Sequence, residues 1–268
     1  MNYPFFSRNG TLLSSTEAVI PLDNIEYTYG FGVYETVRVV KGEARFLSDH
    51  SARLMNSASI INLEHPFTID TVMQAAEALI EKNEIESCNL KILLIGSRTK
   101  DSANLYIECL APLYPDRKLY SQGAKAITRQ YERFLPQAKT LNMLGSYLAY
   151  KEAKSQDAYD ALLVNNEGYI TEGTRTNFFA IKGNDLFSAP EKDILLGVTR
   201  NHVIKVAEAN SFKIVERNIK PGELKDYDGA FLTSTSTKIM PLISVDDFTW
   251  LEIPAQTKLL MQKFSEQY

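Results

Sequence analysis

The sequence is poor in the residues that build metal centres and disulfide frameworks. Its 268 residues include two cysteines, Cys88 and Cys109, and three histidines, with no metal-ligand spacing among them. We therefore expect no zinc or other metal site. The two cysteines are predicted to stay reduced and to serve as small buried apolar side chains, which is typical of a cytoplasmic protein.

Long hydrophobic runs and runs of like charge are also missing. No stretch approaches the roughly 18–20 apolar residues that span a bilayer, and the first ten residues, MNYPFFSRNG, lack the pattern of a signal peptide. The formal net charge is −4, and no five like charges follow one another. This argues against nucleic acid or a membrane surface as a partner. Apolar residues make up 44% of the chain and charged residues 23%, which is typical of a globular protein.

The length of the chain allows two domains of medium size. Prolines, a glycine and several charged residues cluster around residues 111–123. They predict an interdomain linker at 113–123, between an N-terminal α/β domain at 1–112 and a C-terminal domain at 124–268 that carries Lys139. Strands and helices occur in runs with few βαβ alternations, so the predicted fold class is α+β.

The N-terminal domain has clear candidates for strands and helices. VYETVRVV at 33–40 predicts a strand that is buried on much of both faces. A helix is expected from about Ser48, with Leu54 on its buried side, and a second helix over 70–83. Two further strands are predicted at 89–96 and 103–110.

The stretch from Lys139 to Asn177 is predicted to carry the chemistry. Apolar residues recur at helical spacing after the lysine, so we expect a helix that begins at Lys139 and buries Leu141, Leu144, Leu148 and Ala153. A hairpin should follow, with DALLV at 160–164, a polar turn and then YITEG, which puts Glu172 just past its second strand. Helix and hairpin together can bring Lys139 and Glu172 into one cleft.

Three further segments have features of phosphate sites. Gly197, Val198 and Thr199 open a predicted helix whose backbone N–H groups favour anions. TSTST at 233–237 offers hydroxyl and N–H groups, and Arg53 offers a guanidinium from a helix. Each pattern alone is commonly structural, since capped helices, polar loops and exposed arginines are frequent. Together with a lysine and an acid, they form the set that pyridoxal phosphate requires.

Six segments of the chain, in order, resemble the class IV (fold type IV) pyridoxal-phosphate enzymes. They are YGFGVYETVRV at 29–39, RFLSDHSARL at 45–54, KTLNMLGSYLAYKEA at 139–153, GYITEGTRTNFFAIK at 168–182, LLGVTR at 195–200 and FLTSTSTKIMPL at 231–242. That group includes branched-chain and D-amino acid aminotransferases and 4-amino-4-deoxychorismate lyase. The resemblance implies two domains with pyridoxal 5'-phosphate in the cleft between them, in a homodimer.

The resemblance also implies a role for each candidate residue. Lys139 forms the Schiff base with the cofactor and transfers the substrate proton, and Glu172 holds the pyridine nitrogen. The phosphate is held by Arg53, by the backbone of Val198 and Thr199, and by Thr235 and Ser236. Two residues are further candidates for binding the substrate carboxylate, Tyr34 on its strand and Arg98 in the SRTKDS loop.

The preferred interpretation is an aminotransferase that acts on an amino acid and a 2-oxo acid. The alternative within the family is the lyase, which releases pyruvate and p-aminobenzoate from aminodeoxychorismate with the same lysine, acid and phosphate sites. Met143 stands where branched-chain enzymes often have a tyrosine, so the lysine segment resembles more closely the D-amino acid aminotransferase and lyase versions. A non-catalytic protein with this fold is the third alternative, against which the intact Lys139 and Glu172 argue.

Overall fold

The computed structural model of the protein describes residues 3–20, 24–112 and 114–268. By its internal contacts the chain divides into two compact units. The first comprises Met1–Leu113 and Ala138–Asn142, and the second comprises Tyr114–Gln137 and Met143–Tyr268. Lys139 therefore lies in a short segment that belongs to the first unit.

The described part of the first unit contains a six-stranded antiparallel sheet. Its strands are β1 (Phe5–Arg8), β2 (Thr11–Ser14), β3 (Gly32–Val40), β4 (Glu43–Ala44), β5 (Ser87–Ile95) and β6 (Asn104–Leu110), in the order β2-β1-β6-β5-β3-β4. Along β3, Val33, Glu35, Val37 and Val39 are buried, whereas the residues between them are half-buried. The strand predicted at 33–40 is confirmed, but only one of its faces is fully buried, as in a sheet covered mainly on one side.

Three helices belong to the described part of this unit, α1 (Ile25–Thr28), α2 (Leu47–Ile60) and α3 (Ile69–Lys82). The helices predicted from about Ser48 and over 70–83 are thus confirmed as α2 and α3. The Thr68 hydroxyl accepts a hydrogen bond of 3.1 Å from the backbone N–H of Thr71, which caps α3. Leu54 of α2 and Leu79 of α3 are fully buried in the core that these helices form with the sheet.

The second unit contains the remaining described strands and helices. The strands are β7 (Ala124–Gln130), β8 (Asp160–Val164), β9 (Ile170–Gly173), β10 (Asn177–Lys182), β11 (Asp185–Ser188), β12 (Lys213–Glu216), β13 (Gly229–Ser234), β14 (Lys238–Val245) and β15 (Phe248–Thr249). The helices are α4 (Lys118–Gln122), α5 (Leu144–Ser155), α6 (Val198–Ala209) and α7 (Ala255–Gln267). The mixture of helices with largely antiparallel sheets confirms the predicted α+β class.

Six strands of the second unit close into a ring. They pair in the order β10-β13-β14-β7-β8-β9, and β9 then pairs with β10 through Glu172 and Asn177. Outside the ring, β10 continues through β11 to β12, and β15 pairs with β14. Glu172 therefore lies inside β9, at the point where the ring closes, and not just past the strand as the sequence suggested.

The helix predicted to begin at Lys139 was placed wrongly. Helix α5 begins at Leu144, and Leu144 and Leu148 are exposed, whereas Ser146, Ala149 and Ala153 are buried. The buried face of α5 is made of small residues because it packs closely against β8. Of the four residues predicted to lie on the buried face of this helix, Ala153 is buried as expected, whereas Leu141 lies before the helix begins.

Other sequence predictions concern the linker, the cysteines and the membrane. Residue 113 lies outside the described residues, and the rest of the predicted linker contains α4, so the linker and the domain limits stay predictions. Cys88 and Cys109 are free thiols, both buried. Among the described residues no helix has the length and apolarity to cross a bilayer, and no His, Cys, Asp or Glu cluster is arranged to hold a metal ion.

Candidate active site

Lys139 lies in an extended segment beside the start of β3. The backbone N–H of Tyr34 donates to the carbonyl of Lys139 at 2.9 Å, and the N–H of Leu141 donates to the carbonyl of Gly32 at 2.9 Å. The N–H of Lys139 donates to the Ser57 hydroxyl of α2 at 3.1 Å. Strand β3 and helix α2 therefore both fix the backbone of the lysine.

A close approach of two backbones places the lysine against Tyr34. A Cβ atom on Gly32 would lie 2.7 Å from the Cδ1 of Leu141 and 2.8 Å from the carbonyl oxygen of Leu94, so a side chain there would force the lysine segment away from β3. The Nζ of Lys139 lies 4.5 Å from the centre of the Tyr34 ring. Of the residues predicted from the sequence, the first unit thus brings Lys139 and Tyr34 together.

Arg53 is held by a carboxylate that the sequence analysis did not single out. Its Nε donates to Oε1 of Glu35 at 2.6 Å, and one terminal nitrogen, NH2, donates to Oε2 at 2.7 Å. The Nδ1 of His50 lies 2.7 Å from the same Oε2. The Glu35 and His50 side chains are fully buried, whereas the Arg53 side chain is 12% exposed. The result is a forked arginine–carboxylate pair with a histidine behind it.

Burial and charge determine the protonation of this cluster. Burial by itself would raise the pKa of Glu35, but the charge and hydrogen bonds of Arg53 and the hydrogen bond of His50 outweigh it and lower that pKa to about 2. Burial lowers the pKa of His50, against the raising effect of its hydrogen bond to Glu35. At neutral pH Glu35 is therefore a carboxylate, and His50 is a neutral imidazole that donates from Nδ1.

This cluster predicts a loss of stability in acid. Both pKa values are lower in the folded protein than the ordinary values of 6.5 for histidine and 4.5 for glutamate, so the unfolded chain binds more protons in acid and the fold is more stable at neutral pH than at low pH. That stability falls as His50 protonates in the unfolded chain below pH 6.5, and falls further between pH 4.5 and 2 through Glu35. The Glu35→Gln variant is expected to be less stable than the wild type at pH 7, and that difference should shrink by about 2 kcal/mol at pH 3.

Urea unfolding of the cofactor-free protein at several pH values measures this difference. The Glu43→Gln variant is the matched control, because Glu43 forms an exposed ion pair with Arg45 at 3.2 Å. It should change the free energy of unfolding little at any pH. A stability difference between the wild type and Glu35→Gln that is independent of pH would contradict the assignment of a charged Glu35.

Arg98, the other candidate for binding the substrate carboxylate, lies on the surface of the first unit. Its side chain is 83% exposed, and its Nε lies 3.9 Å from the Oε1 of Glu26, at the limit of an ion pair. An exposed pair of this kind contributes little to stability. A role of Arg98 in substrate binding stays a prediction.

The second unit holds Glu172 in a polar, buried environment. Its Oε1 accepts a hydrogen bond of 2.7 Å from a terminal nitrogen of Arg133, and its Oε2 accepts one of 3.2 Å from the backbone N–H of Leu195. The amide of Asn177, directly across from Glu172 on β10, lies 3.5 Å from Oε2 and donates to the carbonyl of Leu195 at 2.7 Å. The orientation of the carboxylate is thus fixed by three residues.

The same network reaches the start of helix α6. Gly197 is the residue before Val198, the first residue of this helix, and no side chain caps the helix there. The backbone N–H groups of Val198 and Thr199 therefore have the orientation in which the N-terminus of a helix binds anions. A Cβ atom on Gly197 would collide with the amide oxygen of Asn177, so the glycine lets the helix start close to the Glu172 network.

A buried aspartate holds the loop between Glu172 and Asn177. Asp160 of β8 accepts hydrogen bonds from the N–H and hydroxyl of Thr174 and, at 2.9 Å, from the hydroxyl of Thr176. The loop can close this tightly because Gly173 has no side chain, and a Cβ atom there would collide with the Thr176 hydroxyl. Asp160 thereby fixes the spacing between β9 and β10.

The predicted phosphate loop follows β13 in the second unit. Thr235 and Ser236 are half-buried, in a turn closed by a 2.8 Å hydrogen bond between the hydroxyls of Ser234 and Thr237. The hydroxyl of Tyr120 donates to the carbonyl of Thr237 at 3.0 Å. The turn is therefore anchored on both sides of the two residues. Their role toward phosphate stays a prediction.

Comparison with protein families decides the assignment. The profile of the family described as "Amino-transferase class IV" matches residues 32–245, which is most of the chain and includes Lys139 and Glu172. The chain belongs to this family. It is thus an enzyme of the class IV aminotransferases, as the resemblance of the six segments predicted.

Individual members of the family are similar over most of their length. The chain is 28% identical to the D-alanine aminotransferase of Bacillus licheniformis, over 90% of this chain and 88% of that one. It is 31% identical to the branched-chain-amino-acid aminotransferase of Pseudomonas aeruginosa, over 81% and 77% of the two chains. The crystal structure of the Escherichia coli branched-chain amino acid aminotransferase superposes with a TM-score of 0.91 at 25% identity, covering 99% of this chain and 94% of that one. The fold type IV assignment is thereby confirmed.

Sequence reasoning missed several polar partners in this aminotransferase. Glu35 and His50 hold Arg53 in the first unit, and Arg133 and Asn177 hold Glu172 in the second. A signal existed for the first group, because His50 and Arg53 are three residues apart on one helix face and Glu35 alternates with buried valines. Arg133 lies in a loop, where no periodicity marks its partner.

Gly197, the residue before α6, is expected to be important for both stability and cofactor binding. Gly197→Ala should displace the Asn177 amide, destabilise the protein by about 1–3 kcal/mol and weaken cofactor binding, since Asn177 contacts both Glu172 and the loop that leads into α6. Thermal unfolding and a cofactor titration measure the two effects. Gly222→Ala is the control, because a Cβ atom there meets nothing within 4 Å. Equal behaviour of both variants would contradict the proposed role of the glycine.

Proposed function

We propose that this class IV aminotransferase uses pyridoxal 5'-phosphate, held by Lys139 and Glu172, to move an amino group between an amino acid and a 2-oxo acid. The observation that carries the proposal is the fixed, buried carboxylate of Glu172, bound to Arg133 and Leu195 at the ring closure of the second unit. Such a carboxylate suits a partner for a protonated ring nitrogen. Family membership supports the same cofactor.

The donor and acceptor groups of both units fit this cofactor. The first unit supplies the amine of Lys139 and the guanidinium of Arg53. The second supplies Glu172 and the uncapped N-terminus of α6 at Val198 and Thr199, where backbone N–H groups suit a phosphate. An amine, a carboxylate and phosphate donors are the groups that the cofactor requires. Thr235 and Ser236 complete the proposed phosphate contacts.

The cofactor would supply the electronic part of the chemistry. When bound, it offers a carbonyl that exchanges amines and a ring that takes up the electrons left on the α-carbon after a proton is removed. Glu172 would accept a hydrogen bond from the ring nitrogen and keep it protonated. The hydrogen bonds from Arg133 and Leu195 hold the carboxylate, so it needs no reorganisation when charge develops.

Lys139 would move the proton. The Nζ of Lys139, when it is not bound to the cofactor, would be a free amine close enough to take the proton from the substrate α-carbon and to give it back. Its backbone is held by β3 and by Ser57, so the amine stays in place while it is not covalently bound. Tyr34, beside Nζ, and Arg98 are the residues that we propose for the substrate carboxylate.

The relatives indicate two classes of amino donor. The relatives named above act, by their names, on D-alanine or on branched-chain amino acids. Both are aminotransferases, which favours amino transfer over release of pyruvate and p-aminobenzoate from aminodeoxychorismate. Met143, where branched-chain enzymes often have a tyrosine, favours the D-amino acid aminotransferase and lyase versions over the branched-chain one.

We also infer a homodimer in the cytoplasm, with the cofactor in a cleft between the domains at 1–112 and 124–268. The exposed apolar side chains of α5 support self-association, because Leu144, Tyr147 and Leu148 lie on one helix face and are each more than half exposed. The two free thiols support a reducing compartment. Sedimentation of the purified protein tests the dimer.

A direct assay separates amino transfer from the lyase reaction. The enzyme with bound cofactor is incubated with D-alanine, L-leucine or L-glutamate and a 2-oxo acid, and new amino acids are separated by chromatography. We expect transfer from one donor class, and no pyruvate from aminodeoxychorismate alone. Pyruvate release without any acceptor, together with no transfer from any donor, would assign the lyase activity instead.

A further inference from the structure

We propose that Glu35 is a positioning residue for cofactor binding. Its buried carboxylate, oriented by His50, fixes the guanidinium of Arg53 for a phosphate monoester. This inference rests on the proposed function, since it takes Arg53 as a phosphate ligand. It adds two residues, Glu35 and His50, that do not touch the cofactor themselves.

The geometry of the pair sets the orientation of the Arg53 guanidinium group. Glu35 takes the edge formed by Nε and NH2, at 2.6 and 2.7 Å, in the forked arrangement that arginine and carboxylates favour. The other terminal nitrogen, NH1, lies on the far edge of the planar guanidinium. The Glu35 side chain is fully buried, whereas the Arg53 side chain keeps 12% of its surface exposed.

Glu35 lowers the net positive charge around Arg53 but fixes the orientation of its guanidinium group. A carboxylate beside the arginine weakens its long-range attraction for a dianion. In exchange, the long arginine side chain is held in one conformation before the ligand arrives, and less conformational freedom is lost on binding. We therefore expect Glu35 to improve affinity for the phosphate group by about tenfold.

His50 fixes the carboxylate in turn. Its ring is fully buried, and burial lowers its pKa, so a neutral ring donates from Nδ1 to Oε2 of Glu35. Nε2 is buried and has no hydrogen-bond partner among the described residues. A neutral donor of this kind orients Glu35 without adding a positive charge that would compete with Arg53 for it.

The test compares pyridoxal 5'-phosphate with pyridoxal, which lacks the phosphate. Cofactor-free protein is titrated with each compound, and the visible absorption of the bound form gives both dissociation constants. The dissociation constant of pyridoxal divided by that of pyridoxal 5'-phosphate measures the contribution of the phosphate to affinity. Glu35→Gln should lower this ratio about tenfold and leave the dissociation constant of pyridoxal within about twofold of the wild type. Glu43→Gln, at the exposed pair with Arg45, should leave both constants unchanged.

A second variant keeps the test decisive if Glu35→Gln does not fold. His50→Asn retains a side-chain N–H close to the position of Nδ1 and removes the ring, so the ratio should fall less, by about threefold. Circular dichroism of the cofactor-free variants checks the fold. An unchanged ratio in the folded variants, or an equal loss of affinity for both compounds, would overturn the positioning role.

Failure of the inference is distinguishable from failure of the proposed function. Arg53→Lys is measured in the same way and should lower the ratio more than Glu35→Gln does. If Arg53→Lys lowers the ratio but Glu35→Gln does not, only the role proposed for Glu35 is wrong, and the phosphate site at Arg53 is retained. If the wild type binds neither compound, or if Arg53→Lys leaves the ratio unchanged, the proposed phosphate site is wrong.

Discussion

Replacing Lys139 by alanine is expected to abolish covalent attachment of the cofactor and to lower amino transfer by at least about a thousandfold. In the proposed function Lys139 is both the amine that binds the cofactor and the base that moves the substrate proton, and a positioned base alone contributes about 10²–10⁴-fold. Visible absorption and borohydride reduction followed by peptide mapping measure the attachment. The fold should remain, because the backbone contacts of Lys139 with β3 and Ser57 do not involve its side chain.

The matched control for this variant is Lys151→Ala. Lys151 is an exposed lysine of α5, so its loss should leave both absorption and rate unchanged. If Lys139→Ala retained the imine absorption of the wild type, the attachment would be at another lysine, and the assignment of Lys139 would fall.

The variant Glu172→Gln should bind the cofactor covalently and yet be slower by on the order of a hundredfold or more. The amide keeps an oxygen for the N–H of Leu195 but has no charge to keep a ring nitrogen protonated, so the electrons left by proton removal are poorly taken up. The rate of the first half-reaction with a single donor measures this loss. Arg133 keeps its hydrogen bond to the carbonyl of Pro136 but loses the charge of Glu172, which should reduce stability by about 1–3 kcal/mol.

Two observations separate the electronic effect from the loss of stability. The variant's rate is compared at a temperature well below its unfolding transition, where all the protein is folded. Glu167→Gln, in the exposed turn of the same hairpin, is the control and should match the wild type. A folded Glu172→Gln variant with a normal half-reaction would remove Glu172 from the mechanism.

The sequence placed Lys139 in a segment that resembles the correct family, but it predicted the wrong conformation for that segment. Apolar residues at helical spacing indicated a helix from Lys139, but the backbone of Lys139 and Leu141 pairs with β3, more than a hundred residues earlier in the chain. Local periodicity contains no information about such a distant partner. The motif itself was still recognisable, because the order of residue types survives whichever conformation they adopt.

For Glu35 the opposite is true, because the alternation of residues along β3 contained the information needed to predict its burial. The residues Val33, Val37 and Val39 alternate along β3, and the same period puts Glu35 on the buried face. A buried glutamate requires a cationic or hydrogen-bonding partner, and the nearest helix offers His50 and Arg53 on one face. The prediction of a strand buried on much of both faces did not distinguish Glu35 from its neighbours, so this requirement was overlooked.

The helices α2 and α3 were predictable because their amphipathic pattern and caps are local. The closure of the strand ring through Glu172 and Asn177 was not, since it depends on pairing across the unit. The polar partners of Glu172 likewise come from a loop, through Arg133, and from the segment before α6, through Leu195. Loops have no period from which their contacts could be inferred.

The most direct test of the proposed activity is a single half-reaction, in which both the absorption of the bound cofactor and the 2-oxo acid released into solution are measured. Enzyme with bound cofactor is mixed with D-alanine, L-leucine or L-glutamate, in the absence of any 2-oxo acid, and its visible absorption is recorded. We expect one donor class to bleach the band of the bound cofactor and to yield a stoichiometric amount of the corresponding 2-oxo acid. A band that no donor bleaches, or bleaching without formation of a 2-oxo acid, would contradict amino transfer.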